Sequence, residues 1–272
     1  MRRFLTSLFV YSALSLAQAA WASPPEFPHR GIHAYQGQHF VGLDEVQDRL
    51  DSLLVIDVRS GYEYGILHLN GARNIPVDEA DFVARLKQAM AEKPGKTVMF
   101  YCNGRLCIQS YEAARLASEA GITDTLVFDG GVRALAMRLP ERMVFRGGQP
   151  FQTDKLLSSE LLARHELPPE EFMKRASGMD ALVIDIRHHL QHKGISLFAG
   201  RDRFVHFDLD AIKPYMEQAK SSSRPLYIVD DSGGQAVWLY YVLEEAGVPE
   251  YYTIKGGTQA YFAGLLRTVR RS

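Results

Sequence analysis

The sequence predicts an α/β fold, a mostly parallel sheet with helices on both faces, built twice. Short β-rich runs alternate with helical stretches, the pattern of βαβ units whose crossovers cover a parallel sheet. Leu53-Leu54-Val55-Ile56-Asp57-Val58-Arg59 returns as Ala181-Leu182-Val183-Ile184-Asp185-Ile186-Arg187, and Val127-Phe128-Asp129-Gly130-Gly131 returns as Thr253-Ile254-Lys255-Gly256-Gly257. The two offsets are nearly equal, 128 and 126 residues, so one domain is duplicated. A chain of 272 residues with 46% hydrophobic and 23% charged side chains has room for two such domains.

At the amino end Arg2 and Arg3 precede an apolar run from Phe4 to Ala17, and Ala20-Trp21-Ala22 offers small residues for cleavage before Ser23. This is the pattern of an export signal, so residues 1–22 are expected to be removed on the general secretory route. No later run approaches the roughly 20 apolar residues of a membrane span. The mature chain is therefore expected in the periplasm or secreted, without a membrane anchor. A net charge of −1 gives neither a basic footprint for nucleic acid nor an acidic tail, and points to small-molecule or protein partners.

In the first copy the strand at Val98-Met99-Phe100-Tyr101 ends on Cys102, which opens the polar loop Asn103-Gly104-Arg105-Leu106-Cys107-Ile108-Gln109. A helix over Glu112–Ala120 follows, so Cys102 stands where a strand hands over to a helix N-terminus. Unpaired amides and the helix dipole there stabilise a thiolate and an anionic substrate together. Ligands of such sheets bind beyond the carboxyl ends of the strands. Loop positions 103, 104, 106, 108 and 109 are expected to act mainly through backbone amides, with Gly104 permitting a tight turn and Ser110 capping the helix. Arg105 is the cation inside the loop, placed to hold an oxyanion. Cys102 and Cys107 are the only cysteines. In an oxidising compartment they can form a disulfide, yet a bridge over so short a loop suits redox chemistry better than reinforcement.

Between the copies, Pro140, Gly147, Gly148 and Pro150 break regular structure within Arg138 to Ser158. The boundaries expected are 23–145 and 146–272, and Pro168-Pro169-Glu170-Glu171 opens a helix of the second copy. Val98–Tyr101 corresponds to Leu226-Tyr227-Ile228-Val229, and the helix end Glu119-Ala120-Gly121 to Glu244-Glu245-Ala246-Gly247. Recurrence of Asp57 and Arg59 as Asp185 and Arg187 marks structural ion pairs, and of the two arginines Arg59 is the one expected to contact substrate. His68 is expected as a packed, hydrogen-bonded residue. His188-His189-Leu190-Gln191-His192 reads as a polar loop with no second ligand cluster, so no metal is expected. Tyr240-Tyr241 and Tyr251-Tyr252 read as core and edge packing.

These residues resemble the rhodanese family of sulfurtransferases in its tandem form. The resemblance rests on Ile56-Asp57-Val58-Arg59, Glu63-Tyr64 leading to His68-Leu69-Asn70-Gly71-Ala72-Arg73-Asn74-Ile75-Pro76, Tyr101-Cys102 and Gly130-Gly131. It departs at Leu67, where the family has glycine, and in a loop about two residues longer than the sulfurtransferase spacing, a feature of relatives that handle phosphate or arsenate. In the second copy Asp230, followed by Asp231-Ser232-Gly233-Gly234-Gln235, takes the place of the cysteine. A carboxylate cannot carry a persulfide, so that copy is expected to be structural and to form one wall of the cleft. The resemblance implies two tandem rhodanese-like domains and a cofactor-free sulfurtransferase. Cys102 would accept sulfur from thiosulfate or another small anionic donor and pass it to a thiol acceptor, a protein among the candidates. Two other readings stand: a thiol redox or sensor protein cycling Cys102 and Cys107, and a binding module without turnover.

Overall fold

In the computed structural model, residues 26–192 and 195–269 are described. The expected leader and the cleavage point before Ser23 lie outside them. Thirteen short strands are present among the described residues. In the amino-terminal half they are β1 (His39–Phe40), β2 (Leu53–Asp57), β3 (Leu67–Leu69), β4 (Arg73–Asn74), β5 (Thr97–Tyr101), β6 (Thr125–Phe128), β7 (Met143–Phe145) and β8 (Gln149–Pro150). The carboxy-terminal half has β9 (Glu166–Leu167), β10 (Leu182–Asp185), β11 (Arg203–Phe204), β12 (Leu226–Val229) and β13 (Tyr251–Ile254).

Two five-stranded sheets result, in the orders β4-β2-β5-β6-β1 and β11-β10-β12-β13-β9, with every neighbouring pair parallel. The orders are the same, strand for strand. Alternation along the strands sorts the core: Leu54, Ile56, Val98, Phe100 and Val127 face the helices Phe82–Glu92 and Gln109–Glu119. Leu53, Val55, Met99, Leu126 and Phe128 face the opposite way, toward Val132, Leu135 and Ala136 of the helix Gly131–Arg138. Period-two side chains on strands buried on both faces require helices on both sides, and the expected α/β class is the one observed.

A small antiparallel sheet, β3-β7-β8, joins the region after β2 to the segment that follows the first sheet. The hairpin Met143–Pro150 therefore straddles the boundary expected at 145/146, because its backbone partners lie in β3. Pro169 opens the helix Pro169–Ala176 at its first position, where a missing amide N–H costs nothing. Among the described residues, no helix is long and apolar enough to cross a membrane.

Candidate active site

Register places the chemistry at one end of the first sheet. Asp57 pairs with Tyr101, and Tyr101 with Phe128, so the carboxyl ends of β2, β5 and β6 are level. Arg59, Cys102 and Asp129 follow directly. Cys102 is fully buried, Cys107 nearly so, and both are free thiols; the disulfide considered from the sequence is not formed. Cys102 Sγ lies 3.4 Å from the Ser110 hydroxyl and 3.5 Å from the Cys107 carbonyl oxygen. Burial works against a thiolate here, but the Cys107 thiol, the Ser110 hydroxyl and the backbone amides of Ser110 and Gly104 outweigh it and hold the Cys102 thiol below its ordinary pKa. Burial and the neighbouring Cys102 push the Cys107 thiol well up. The Cys107 S–H donates to Gln109 Oε1 at 3.4 Å.

The helix begins at Gln109, so Ser110 lies inside its first turn rather than at its cap. The residue at the cap is Ile108, which has no side-chain cap bond, and the Ser110 hydroxyl is turned to the sulfur. Asn103 also departs from a backbone-only role. Its Nδ2 donates to Glu63 Oε1 at 2.6 Å, and its Oδ1 accepts from Trp238 Nε1 at 2.7 Å. Arg105 is exposed, on the loop's outer side. Leu106 presents its carbonyl to His29 Nε2 and Gln259 Nε2, both at 3.0 Å.

Gly131 explains how the loop is held close. Its φ is +78°, and a Cβ there would stand 2.3 Å from the Gly104 Cα and N. Only glycine lets the first turn of the helix Gly131–Arg138 approach the loop backbone, and the Val132 amide then donates to the Cys102 carbonyl at 2.9 Å.

Arg59 and Asp57 are both wholly buried and joined in a two-pronged pair, Nε to Oδ1 at 2.9 Å and Nη2 to Oδ2 at 2.6 Å. Burial opposes the guanidinium charge, but Asp57 overcomes it and raises the Arg59 pKa. Arg59 Nη2 also donates to the Leu67 carbonyl at 2.7 Å, and Nη1 stands 3.5 Å from Asn103 Oδ1. The second half repeats the device: Arg187 pairs with Asp185 at the same distances and donates to the Ile195 carbonyl. His68 is stacked on Tyr64, with its Nδ1 2.7 Å from the Tyr64 carbonyl, and burial lowers its pKa.

Where the first half has Cys102, the second has Asp230, and the backbone match is close: Thr258 N donates to the Asp230 carbonyl just as Val132 N does to that of Cys102. The Asp230 carboxylate accepts from the amides of Gly233, Gln235 and Ala236 at 2.9–3.0 Å. Burial pushes its pKa up to about 6 while those amides pull it down. The second loop is thus an amide cradle already filled by its own anion.

Sequence reasoning missed Glu63 as a site residue in its own right. It is fully buried, closes a capping box with Ser60, and has a pKa raised by burial to about 7. The Ser60-x-x-Glu63 spacing carries that signal. Trp238 and Gln259 carried none, since they meet the loop from 135 and 153 residues away. Two cavities between the halves flank the loop. One, of about 290 Å³, is reached by Gln109 and also lined by Ser60, Glu79, His188 and Gln235. The other, of about 450 Å³, is reached by Ile108 and lined by Ile195, Gln259 and Phe262. Cys102 lines neither. Among the described residues no group of three or more His, Cys, Asp or Glu side chains is arranged to hold a metal, and His192 Nε2 lies 3.6 Å from Asp185.

Residues 42–137 match the model of the rhodanese-like domain family. The chain is 33% identical over 106 residues, 37% of its own length and 25% of the relative's, to a Mycobacterium tuberculosis protein described as probable adenylyltransferase/sulfurtransferase MoeZ. It is 34% identical over 115 residues, 38% of its length and 32% of the relative's, to a tRNA uridine(34) hydroxylase of Chlamydia trachomatis. The chain thus spans a quarter to a third of the length of these curated relatives. The crystal structure of a thiosulfate sulfurtransferase from Pseudomonas aeruginosa is similar at 17% identity and a TM-score of 0.36, covering 82% of this chain and 44% of that one. The stretch similar to the rhodanese-like domain family, residues 42–137, is the one that holds Cys102 at the end of the central strand of the first sheet.

Proposed function

We propose that this protein is a sulfurtransferase of two tandem rhodanese-like domains, exported to the periplasm or secreted, with Cys102 as its sulfur carrier. The observation that carries the reading is the state of Cys102: a thiol of depressed pKa, among loop amides and the Ser110 hydroxyl, at the N-terminal end of a helix. In the first step the Cys102 thiolate attacks the outer sulfur of thiosulfate or a similar donor. A new S–S bond forms, the donor's own S–S bond breaks, and sulfite leaves with the electron pair. In the second step an acceptor thiolate attacks the outer sulfur of the persulfide, and the Cys102 thiolate is released. Developing negative charge stays within reach of the loop amides throughout. Arg105, exposed on the loop, is placed to draw in an anionic donor. Cys102 is enclosed, so a donor reaches it by displacing the segments laid over the loop.

The pairing of a lowered thiol with a raised one also favours a second reading, in which Cys107 resolves an oxidised Cys102 to a disulfide. One experiment separates the two. Reduced protein is incubated with thiosulfate and weighed intact by mass spectrometry. One added sulfur, lost in Cys102→Ser and kept in Cys107→Ser, is the expected result. No adduct in the parent protein, with ready loss of two hydrogens instead, sinks the sulfur-carrier reading and leaves the redox pair.

A further inference from the structure

We propose that Trp238, from the half without a nucleophile, is a positioning residue for Cys102, acting through Asn103; the proposal rests on the reading of Cys102 as the sulfur carrier. Asn103 is the first residue of the loop, and its carboxamide is held at both ends. Trp238 Nε1 donates to Oδ1 at 2.7 Å, and Nδ2 donates to Glu63 Oε1 at 2.6 Å. An indole nitrogen can only donate, so it fixes which end of the carboxamide faces which partner. Glu63, an acceptor, then takes the amino end. Trp238 is itself almost fully buried: its carbonyl accepts from the Tyr62 hydroxyl at 3.0 Å, its ring is stacked on Tyr241, and the Arg59 guanidinium lies 5.5 Å from its centre. Farther along the loop Gln259 makes a second pin, donating to the Leu106 carbonyl while its amide also bonds Asp231 Oδ2 at 2.7 Å. Both pins come from the carboxy-terminal half and grip the segment whose Gly104 amide faces the sulfur.

The second half has kept the fold of its own loop and filled its cradle with Asp230, so it has no vacancy for a sulfur anion. What it contributes to the chemistry is the grip on the other loop. Loss of the Trp238 N–H frees the Asn103 carboxamide to turn, the loop amides lose their aim, and the thiolate loses the stabilisation that offsets its burial.

Trp238→Phe keeps aromatic bulk and removes the N–H. The readout is the pH dependence of Cys102 alkylation by iodoacetamide in the full chain. Tryptic cleavage after Arg105 puts Cys102 and Cys107 in different peptides, so mass spectrometry scores each alone. The midpoint for Cys102 is expected to rise by about one pH unit, and single-turnover sulfur uptake at pH 7 to fall about tenfold. In an Asn103→Ala background the same substitution is expected to add almost nothing, since the path it acts through is gone. Gln259→Leu, at a half-exposed position, should move the midpoint the same way by less, and serves where the tryptophan variant does not fold. An unmoved midpoint in folded Trp238→Phe or, failing that, in Gln259→Leu overturns the proposal, as do fully additive effects with Asn103→Ala. Alkylation needs no sulfur donor, so failure of the parent protein to form a persulfide counts against the sulfurtransferase reading alone.

Discussion

Two fully buried carboxyl groups, one in each half, bear on the pH dependence of stability at the residue scale. Burial raises Glu63 from 4.5 to about 7 and Asp230 from 3.8 to about 6. In both cases the folded state holds the proton more tightly than the unfolded chain. Their contribution to stability is complete below the unfolded values and is lost as pH rises through about 6 and then about 7. Glu63→Gln should flatten that decline, with a difference in slope worth on the order of 1–3 kcal/mol between pH 5 and pH 8. Urea midpoints at the two pH values measure it, and an equally steep fall in the variant rules Glu63 out as the source. Asp230 was legible in the sequence as the residue in the cysteine's place, because the repeat could be counted. Its three amide bonds were not, because they depend on how the loop closes around the carboxylate.

At the scale of elements, the decisive device is the glycine that starts the helix after each sheet's fifth and last strand in chain order. Gly131 meets the Gly104 backbone and Gly257 meets Asp231, each with positive φ and with room for no Cβ: the built atom stands 2.3 Å from the facing backbone. Gly131→Ala should cost at least about 2 kcal/mol and displace the Cys102 loop, so persulfide formation falls further than stability alone explains. Thermal melts paired with the mass-shift assay test this; a variant as stable and as active as the parent contradicts the close approach. The Gly-Gly pairs, the strand before Cys102 and the helix after it were readable from pattern, since local propensity and alternation fix them. The exact start of that helix was not. It begins at Gln109 because the loop backbone winds into it early, and this turns Ser110 from a cap into a neighbour of the sulfur.

Across the whole molecule the two halves share one apolar cluster, running from Val55, Met99 and Phe145 in the first to Ile184, Trp238 and Tyr251 in the second. Phe145 meets Tyr241, Tyr62 meets Phe207, and Arg146 pairs with Glu245 across the same boundary. A continuous core predicts that the halves melt together: one calorimetric transition whose enthalpy equals its van't Hoff value. Two resolved transitions would show that the halves are stable apart. From the sequence alone came the fold class, the repeated strand and glycine motifs, the cysteine at a strand end and the aspartate in its place in the second half, because each is written in local pattern and spacing. Only the tertiary structure decided that Cys102 is enclosed, that Cys107 stands beside it as a free, buried thiol, and that Trp238 and Gln259 bond to the loop. Those facts depend on contacts between residues more than a hundred positions apart or on the path of a loop, and no local pattern encodes either.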